Sequence, residues 1–112
     1  MEIHSYYSQS GTDLIEKYIS SLTTVERIDA RRVLDQLEEG QMDTLTVKHW
    51  FGKIMEIYFY KHNRIFYVTS DADNLYLLHT CRKQKNKTEK RDSKIVISRA
   101  KQLSKELGKK FI

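Results

Sequence analysis

Several residues in the second half of the chain have side chains that can transfer protons or bind anions. Glu56, Arg64 and His79 lie in three successive apolar runs, and residues 82–94 then contain seven basic side chains but only two acidic ones. The basic residues of this segment are Arg82, Lys83, Lys85, Lys87, Lys90, Arg91 and Lys94. Such an excess of positive charge favours a polyanion or an acidic protein as the partner, although a solvated helix start has the same composition.

The composition limits the protein to a small domain without a disulfide. We expect residues 1–112 to form one domain, because 112 residues with a formal charge of +5 are typical of a single hydrophobic core. The only cysteine is Cys81, which favours a reducing, cytoplasmic setting. No apolar stretch approaches the roughly 18 residues that a membrane helix needs, and we expect neither export nor membrane anchoring.

We expect no metal or cofactor. The four histidines, His4, His49, His62 and His79, lack the spacing of metal ligands. With four glycines in the chain, no glycine-rich phosphate-binding loop is present.

The apolar pattern predicts an α+β fold. Residues 2–7 are typical of a strand. Residues 14–22 are typical of an amphipathic helix that begins at Asp13. Thr23 and Glu26 indicate the start of a second helix, which ends at Gly40. The predicted inward stripe of the second helix is Val25, Ile28, Val33, Leu34 and Leu37. Runs over residues 53–60, 64–70 and 75–82 predict three antiparallel strands, and a last helix follows. The two consecutive helices predict a hairpin packed on one face of the sheet.

The strand pattern also predicts which side chains share a face. If residues 61–63 form a three-residue hairpin loop, Tyr60 lies opposite Arg64. Alternation then puts one set on a polar face that we predict to be an open functional surface: Glu56, Tyr58, Tyr60, Arg64 and Phe66. Tyr67 falls in the core. A two-residue loop would separate Glu56 from Arg64, and a simple cross-strand ion pair is the alternative role for these two residues.

Three segments carry a resemblance to a known family. Residues 53–58 read KIMEIY, residues 64–68 read RIFYV, and residues 77–83 read LLHTCRK, with Lys87 and Thr88 following. In this order they resemble the RelE/HigB superfamily of toxins from type II toxin-antitoxin modules, most closely the HigB or phage Gp49-like branch. Tyr58 stands where that branch usually has Arg, and Cys81 where it usually has Phe.

The resemblance implies a small RNase that cleaves mRNA without a metal, in many members on the ribosome. Attack by the ribose 2′-OH needs a base, cations that balance the phosphorane charge, and an acid. The resemblance implies Glu56 or His79 for proton transfer and Arg64 with Lys83 for phosphate charge. It implies that RNA is held by Tyr58, Arg82, Lys85, Lys87, Lys90 and Arg91. The alternative for His79 is a hydrogen-bonded, half-buried structural histidine.

The resemblance also implies partners. These are mRNA, the ribosome and a cognate antitoxin, which we expect to be a small helix-turn-helix protein that also mediates oligomer formation. Two other functions stay open at this point. One is inhibition of gyrase, as in the ParE branch, and the other is a catalytically silent binding protein, which the tyrosine at position 58 favours.

Overall fold

The computed structural model of the chain describes residues 1–83 and 88–112, so Lys85 and Lys87 lie outside the described residues. Its elements are β1 (Glu2–His4), α1 (Leu14–Ser20), α2 (Thr24–Glu39), β2 (Thr46–Phe51), β3 (Ile54–Phe59), β4 (Asn63–Thr69), β5 (Asn74–Arg82) and α3 (Lys90–Leu107). The predicted α+β class is confirmed. Across these two ranges, no helix has both the length and the apolar character needed to cross a bilayer.

Both helices begin at the predicted residues and α2 ends as predicted at Gly40, whereas α1 ends at Ser20, two residues before the predicted end. The Asp13 side chain accepts a hydrogen bond from the amide of Glu16, which caps α1. Thr23 and Glu26 form a reciprocal capping box at the start of α2. Gly40 ends α2 in the left-handed region, with φ of 73°.

The strands form one mixed sheet in the order β1-β5-β4-β3-β2. β1 runs parallel to β5, whereas β2, β3, β4 and β5 are joined by antiparallel pairing. The three predicted antiparallel strands are therefore confirmed. β2 was not predicted, because it is an edge strand whose exposed side chains hide its alternation. β1 is shorter than the predicted strand over residues 2–7.

The helix hairpin packs on one face of the sheet, as predicted. Its core includes Ile15, Ile19, Val33, Leu37, Ile57, Ile65 and Tyr67. The predicted burial of Val25 and Ile28 is wrong, since they are 60% and 65% exposed. The residues of α2 that face the sheet are Glu26, Ala30, Val33 and Leu37, whose spacing of three or four residues follows one side of a helix.

The opposite face of the sheet is covered in part by α3. Val96 and Ala100 pack there with Ile54, Phe66, Val68, Leu78 and Phe111. The prediction that this face is open is therefore wrong at Phe66, and it is wrong at Glu56 and Arg64 as well, since both are buried. The C-terminal segment closes this core over Gly52, where an added Cβ would lie 2.5 Å from the carbonyl oxygen of Phe111.

The hairpin between β3 and β4 has a different register from the predicted one. Tyr58 lies opposite Arg64 and Phe59 lies opposite Asn63, so residues 60–62 form the loop. The predicted pairing of Tyr60 with Arg64 is wrong by two residues. A shift of two keeps every side chain on its face, and Glu56, Tyr58 and Arg64 share one face as predicted.

A polar network centred on the buried Glu26 and Asn63 ties the helix hairpin to the end of the sheet. Arg82 Nη1 lies 2.7 Å from Glu26 Oε1, and Asn63 Nδ2 donates to the same oxygen at 3.2 Å. The Tyr18 hydroxyl donates to Asn63 Oδ1. The hydrogen bond from Arg82, together with those from Thr23 and Asn63, lowers the pKa of Glu26 to about 2.

We predict that this network makes stability depend on pH in the acid range. The folded pKa of Glu26 lies below its usual 4.5, so its contribution is complete above pH 4.5 and is lost as the pH falls towards about 2. Glu26→Gln should lower the melting temperature clearly at pH 7, and the difference from the wild type should shrink below pH 4.5. Thermal unfolding between pH 2 and 7 checks this, with exposed Glu39→Gln as the matched control. A difference that does not change with pH would contradict it.

Candidate functional site

A buried ion pair lies at the centre of the candidate site. Glu56 on β3 and Arg64 on β4 bring Oε2 and Nη1 to 3.1 Å, with their side chains 7% and 2% exposed. Glu56 lies opposite Phe66 rather than opposite Arg64, so the contact is diagonal across the two strands. This polar face of the sheet therefore contains an ion pair that is shielded from water.

Tyr58 connects this ion pair to a lysine nearer the solvent. Its hydroxyl donates to Glu56 Oε1 at 2.9 Å and accepts from Lys83 Nζ at 3.2 Å. Tyr58 and Lys83 are half-buried. The order Lys83, Tyr58, Glu56, Arg64 is therefore a continuous polar chain from the surface to the interior, and we call it the relay.

Three cations surround the ring of Tyr58. Lys83 Nζ, Lys48 Nζ and the Arg64 guanidinium carbon lie 5.0, 5.2 and 5.3 Å from the ring centroid. These distances are within the range of cation–π attraction. With one carboxylate among three cations, the cluster carries a net positive charge and favours an anion beside Tyr58.

Thr88 fixes the cluster to the segment that leads into α3. Its hydroxyl oxygen accepts hydrogen bonds from Arg64 Nη1 at 2.5 Å and Trp50 Nε1 at 3.1 Å. Trp50 packs edge-on against Phe66 with centroids 5.1 Å apart. Among residues 1–83 and 88–112, Glu56 Oε2 and Arg64 Nε are the buried side-chain atoms without a hydrogen bond.

His79 is placed outside this cluster. Its Nε2 lies 2.8 Å from Asp92 Oδ1 on α3, and its ring stacks on Phe66 with centroids 6.4 Å apart. Burial lowers the pKa of His79, with an opposing effect from Asp92. This geometry is that of the alternative role given above for His79, a hydrogen-bonded, half-buried structural histidine.

The other predicted RNA-binding residues lie apart from the relay. Arg82 contacts Glu26 on the side of the helix hairpin. Lys90 and Arg91 are exposed at the start of α3, where Arg91 lines a groove with His79 and Lys90 lines a different one. The predicted site residues that the structure brings together are therefore Glu56, Tyr58, Arg64 and Lys83.

Sequence reasoning gave no site role to Lys48, Trp50 or Thr88. Lys48 and Trp50 lie on β2, where Lys48 pairs directly with Glu56 of β3. Because the sequence did not predict β2, it could not predict this pairing. Thr88 was part of the motif that carried the resemblance. That motif was the signal in the sequence that could have indicated a role for Thr88 in the site.

A comparison with protein families shows to which family the chain belongs. The model of the family described as phage-derived protein Gp49-like (DUF891) matches residues 17–101, about three quarters of the chain. The chain belongs to this family. The Gp49-like family is part of the RelE/HigB-like toxin superfamily, so the resemblance noted in the sequence is confirmed. No curated protein matches the chain significantly.

Membership in the Gp49-like family suggests that the protein is the toxin of a toxin-antitoxin pair, with an antitoxin as its partner. The matched residues include the whole relay, from Glu56 to Lys83, and Lys48, Trp50 and Thr88 as well.

We predict that the ion pair is energetically coupled. Glu56→Gln or Arg64→Gln alone should lower the free energy of unfolding by about 3 kcal/mol, because each leaves an unpaired buried charge. The double variant should lose clearly less than the sum of the two. Urea denaturation of the four proteins measures this coupling, and strict additivity would contradict it. Arg32→Gln breaks an exposed pair with Asp29 and should change stability by less than about 1 kcal/mol.

Proposed function

We propose that this Gp49-like toxin is an endoribonuclease that cleaves mRNA on the ribosome in the cytoplasm without a metal. A small helix-turn-helix antitoxin neutralises it. The observation that carries the proposal is the relay, in which a phenol lies between a buried carboxylate and a lysine ammonium. These groups are a base, an acid and a cation, the three that 2′-OH attack requires.

In the proposed reaction, Tyr58 and Glu56 remove the proton of the attacking hydroxyl. The 2′-OH gives its proton to Tyr58 Oη while the phenolic proton moves to Glu56 Oε1, 2.9 Å away. The 2′ oxygen then bonds to phosphorus, the bond from phosphorus to the 5′ oxygen breaks, and Lys83 protonates the leaving oxygen. The products are a 2′,3′-cyclic phosphate and a 5′-hydroxyl end.

The buried position of Arg64 gives it a different role from the one that the resemblance implies. With 1% of its surface exposed, Arg64 does not reach a phosphate in this conformation. It stabilises the charge of Glu56 and positions Thr88 instead. The charge of the phosphorane is balanced by Lys83 and Lys48, the lysines beside the ring of Tyr58.

The neighbouring surface supports binding of the RNA. Lys90 and Arg91 are exposed at the start of α3, a few residues from Thr88. They extend the positive surface away from the relay, and phosphate contacts of this kind position a nucleic acid without reading its sequence.

We predict that removing one functional group of the relay abolishes cleavage without unfolding the protein. Tyr58→Phe keeps the ring but breaks the proton path, and Lys83→Met removes the acid, so each should reduce cleavage about 100-fold or more. The assay is cleavage of mRNA in a purified translation system with EDTA present. Analysis of the fragment ends should show 2′,3′-cyclic phosphates. Lys110→Met, an exposed residue beyond α3, is the control and should cleave as the wild type does.

Induced expression distinguishes the remaining functions. Translation arrest with cut mRNA supports the proposal, whereas DNA damage signalling with intact mRNA would assign the chain to gyrase inhibition. Growth that is unaffected by the wild-type protein would assign it to binding alone.

A further inference from the structure

A second cluster of reactive side chains lies beside the relay and has no part in the proposed cleavage. His79 and Cys81 are two residues apart on β5, and Asp92 lies in the first turn of α3. One ligand atom of each, a ring nitrogen, Sγ and a carboxylate oxygen, lies within 4.8 Å of the other two. The chain spacing did not predict this cluster, because its third member comes from a different element.

We propose that His79, Cys81 and Asp92 form a zinc-binding site that joins β5 to α3. Thiolate sulfur, imidazole nitrogen and carboxylate oxygen are all ligands that Zn²⁺ accepts in proteins, whereas Mg²⁺ and Ca²⁺ select oxygen. In a tetrahedral zinc site, bond lengths of about 2.0–2.3 Å place neighbouring ligand atoms about 3.5 Å apart. Side-chain shifts of about 1 Å would bring the three atoms to that geometry.

The cluster can be reached from the solvent. His79, Cys81 and Asp92 line one groove of about 780 Å³, whose rim includes Glu89 and Arg91. The groove is open to solvent, so water can take the fourth position on the metal.

Charges of both signs surround the cluster: Asp92 and Glu56 are negative, whereas Arg64, Arg91 and Arg99 are positive. Burial, with the charges of Asp92 and Glu56, raises the pKa of the Cys81 thiol to about 12. His79 Nε2 lies 2.8 Å from Asp92 Oδ1 and its Nδ1 lies 3.4 Å from Arg99 Nη1, so a metal ion would replace one of these two contacts. The positive charges of Arg64 and Arg91 act to lower the pKa of the Cys81 thiol. Because Zn²⁺ binds the thiolate form of cysteine, the Cys81 proton would leave when the metal binds.

The site would couple a metal to the position of the relay. Cys81 lies directly opposite Arg64 across β4 and β5. Asp92 lies four residues after Thr88, whose hydroxyl accepts from Arg64. A zinc ion would hold the start of α3 in place without entering the cleavage reaction, so the inference does not depend on RNase activity.

Cobalt and zinc binding to the full chain test the proposal. Added to the reduced protein, Co²⁺ should give a thiolate-to-cobalt charge-transfer band and the strong visible bands of tetrahedral coordination, and stoichiometric Zn²⁺ should abolish them. Cys81→Ser should remove the charge-transfer band. His79→Gln and Asp92→Asn should each weaken Zn²⁺ binding about 100-fold or more, as measured by calorimetry.

The controls separate this site from chance binding. His49→Gln and Asp73→Asn, which change a histidine and an aspartate outside the cluster, should bind Zn²⁺ as the wild type does. Circular dichroism without metal shows whether each variant is folded. The absence of a charge-transfer band in the folded wild type would overturn the proposal, as would a band that survives in Cys81→Ser. In either case His79 and Asp92 form only a structural hydrogen bond.

Discussion

The contact between Glu56 and Arg64 is the constraint around which one face of the sheet is arranged. Two opposite charges that are buried this deeply are stable only when they pair with each other and make further polar contacts. Tyr58 supplies a donor to the carboxylate, and Thr88 supplies an acceptor to the guanidinium. Removing the pair would therefore disturb both the sheet and the segment that enters α3.

The position of the site follows from how the helices cover the sheet. α1 and α2 pack on one face along an apolar surface, whereas α3 covers the other face only where Phe66, Val68 and Leu78 provide apolar contacts. At the end near Tyr58 the same face carries polar side chains. The relay lies at the boundary between the covered and the uncovered part, and so it joins a buried charge to the surface.

Much of this arrangement follows from period-two alternation. The pattern of β3 and β4 predicted correctly that Glu56, Tyr58 and Arg64 share a face, even though the hairpin register was wrong by two residues. The sequence could not show that Arg64 is buried, because its contacts are with Glu56, diagonally across the sheet, and with Thr88, in the segment before α3, and no local pattern fixes either of them. The contact of His79 with Asp92 was equally inaccessible, since it joins elements whose packing no local pattern fixes.

The tyrosine at position 58 changes how the site works rather than depriving it of charge. Where the related toxins usually have an arginine, a second guanidinium would compete with Arg64 for the single carboxylate of Glu56. The phenol instead accepts from Lys83 and donates to Glu56, which an arginine cannot do because it has no acceptor. The missing cation is replaced by Lys83 and Lys48, both about 5 Å from the ring. In the proposed reaction, two lysines balance the phosphate charge and a tyrosine provides the proton path, two roles that one arginine cannot serve together.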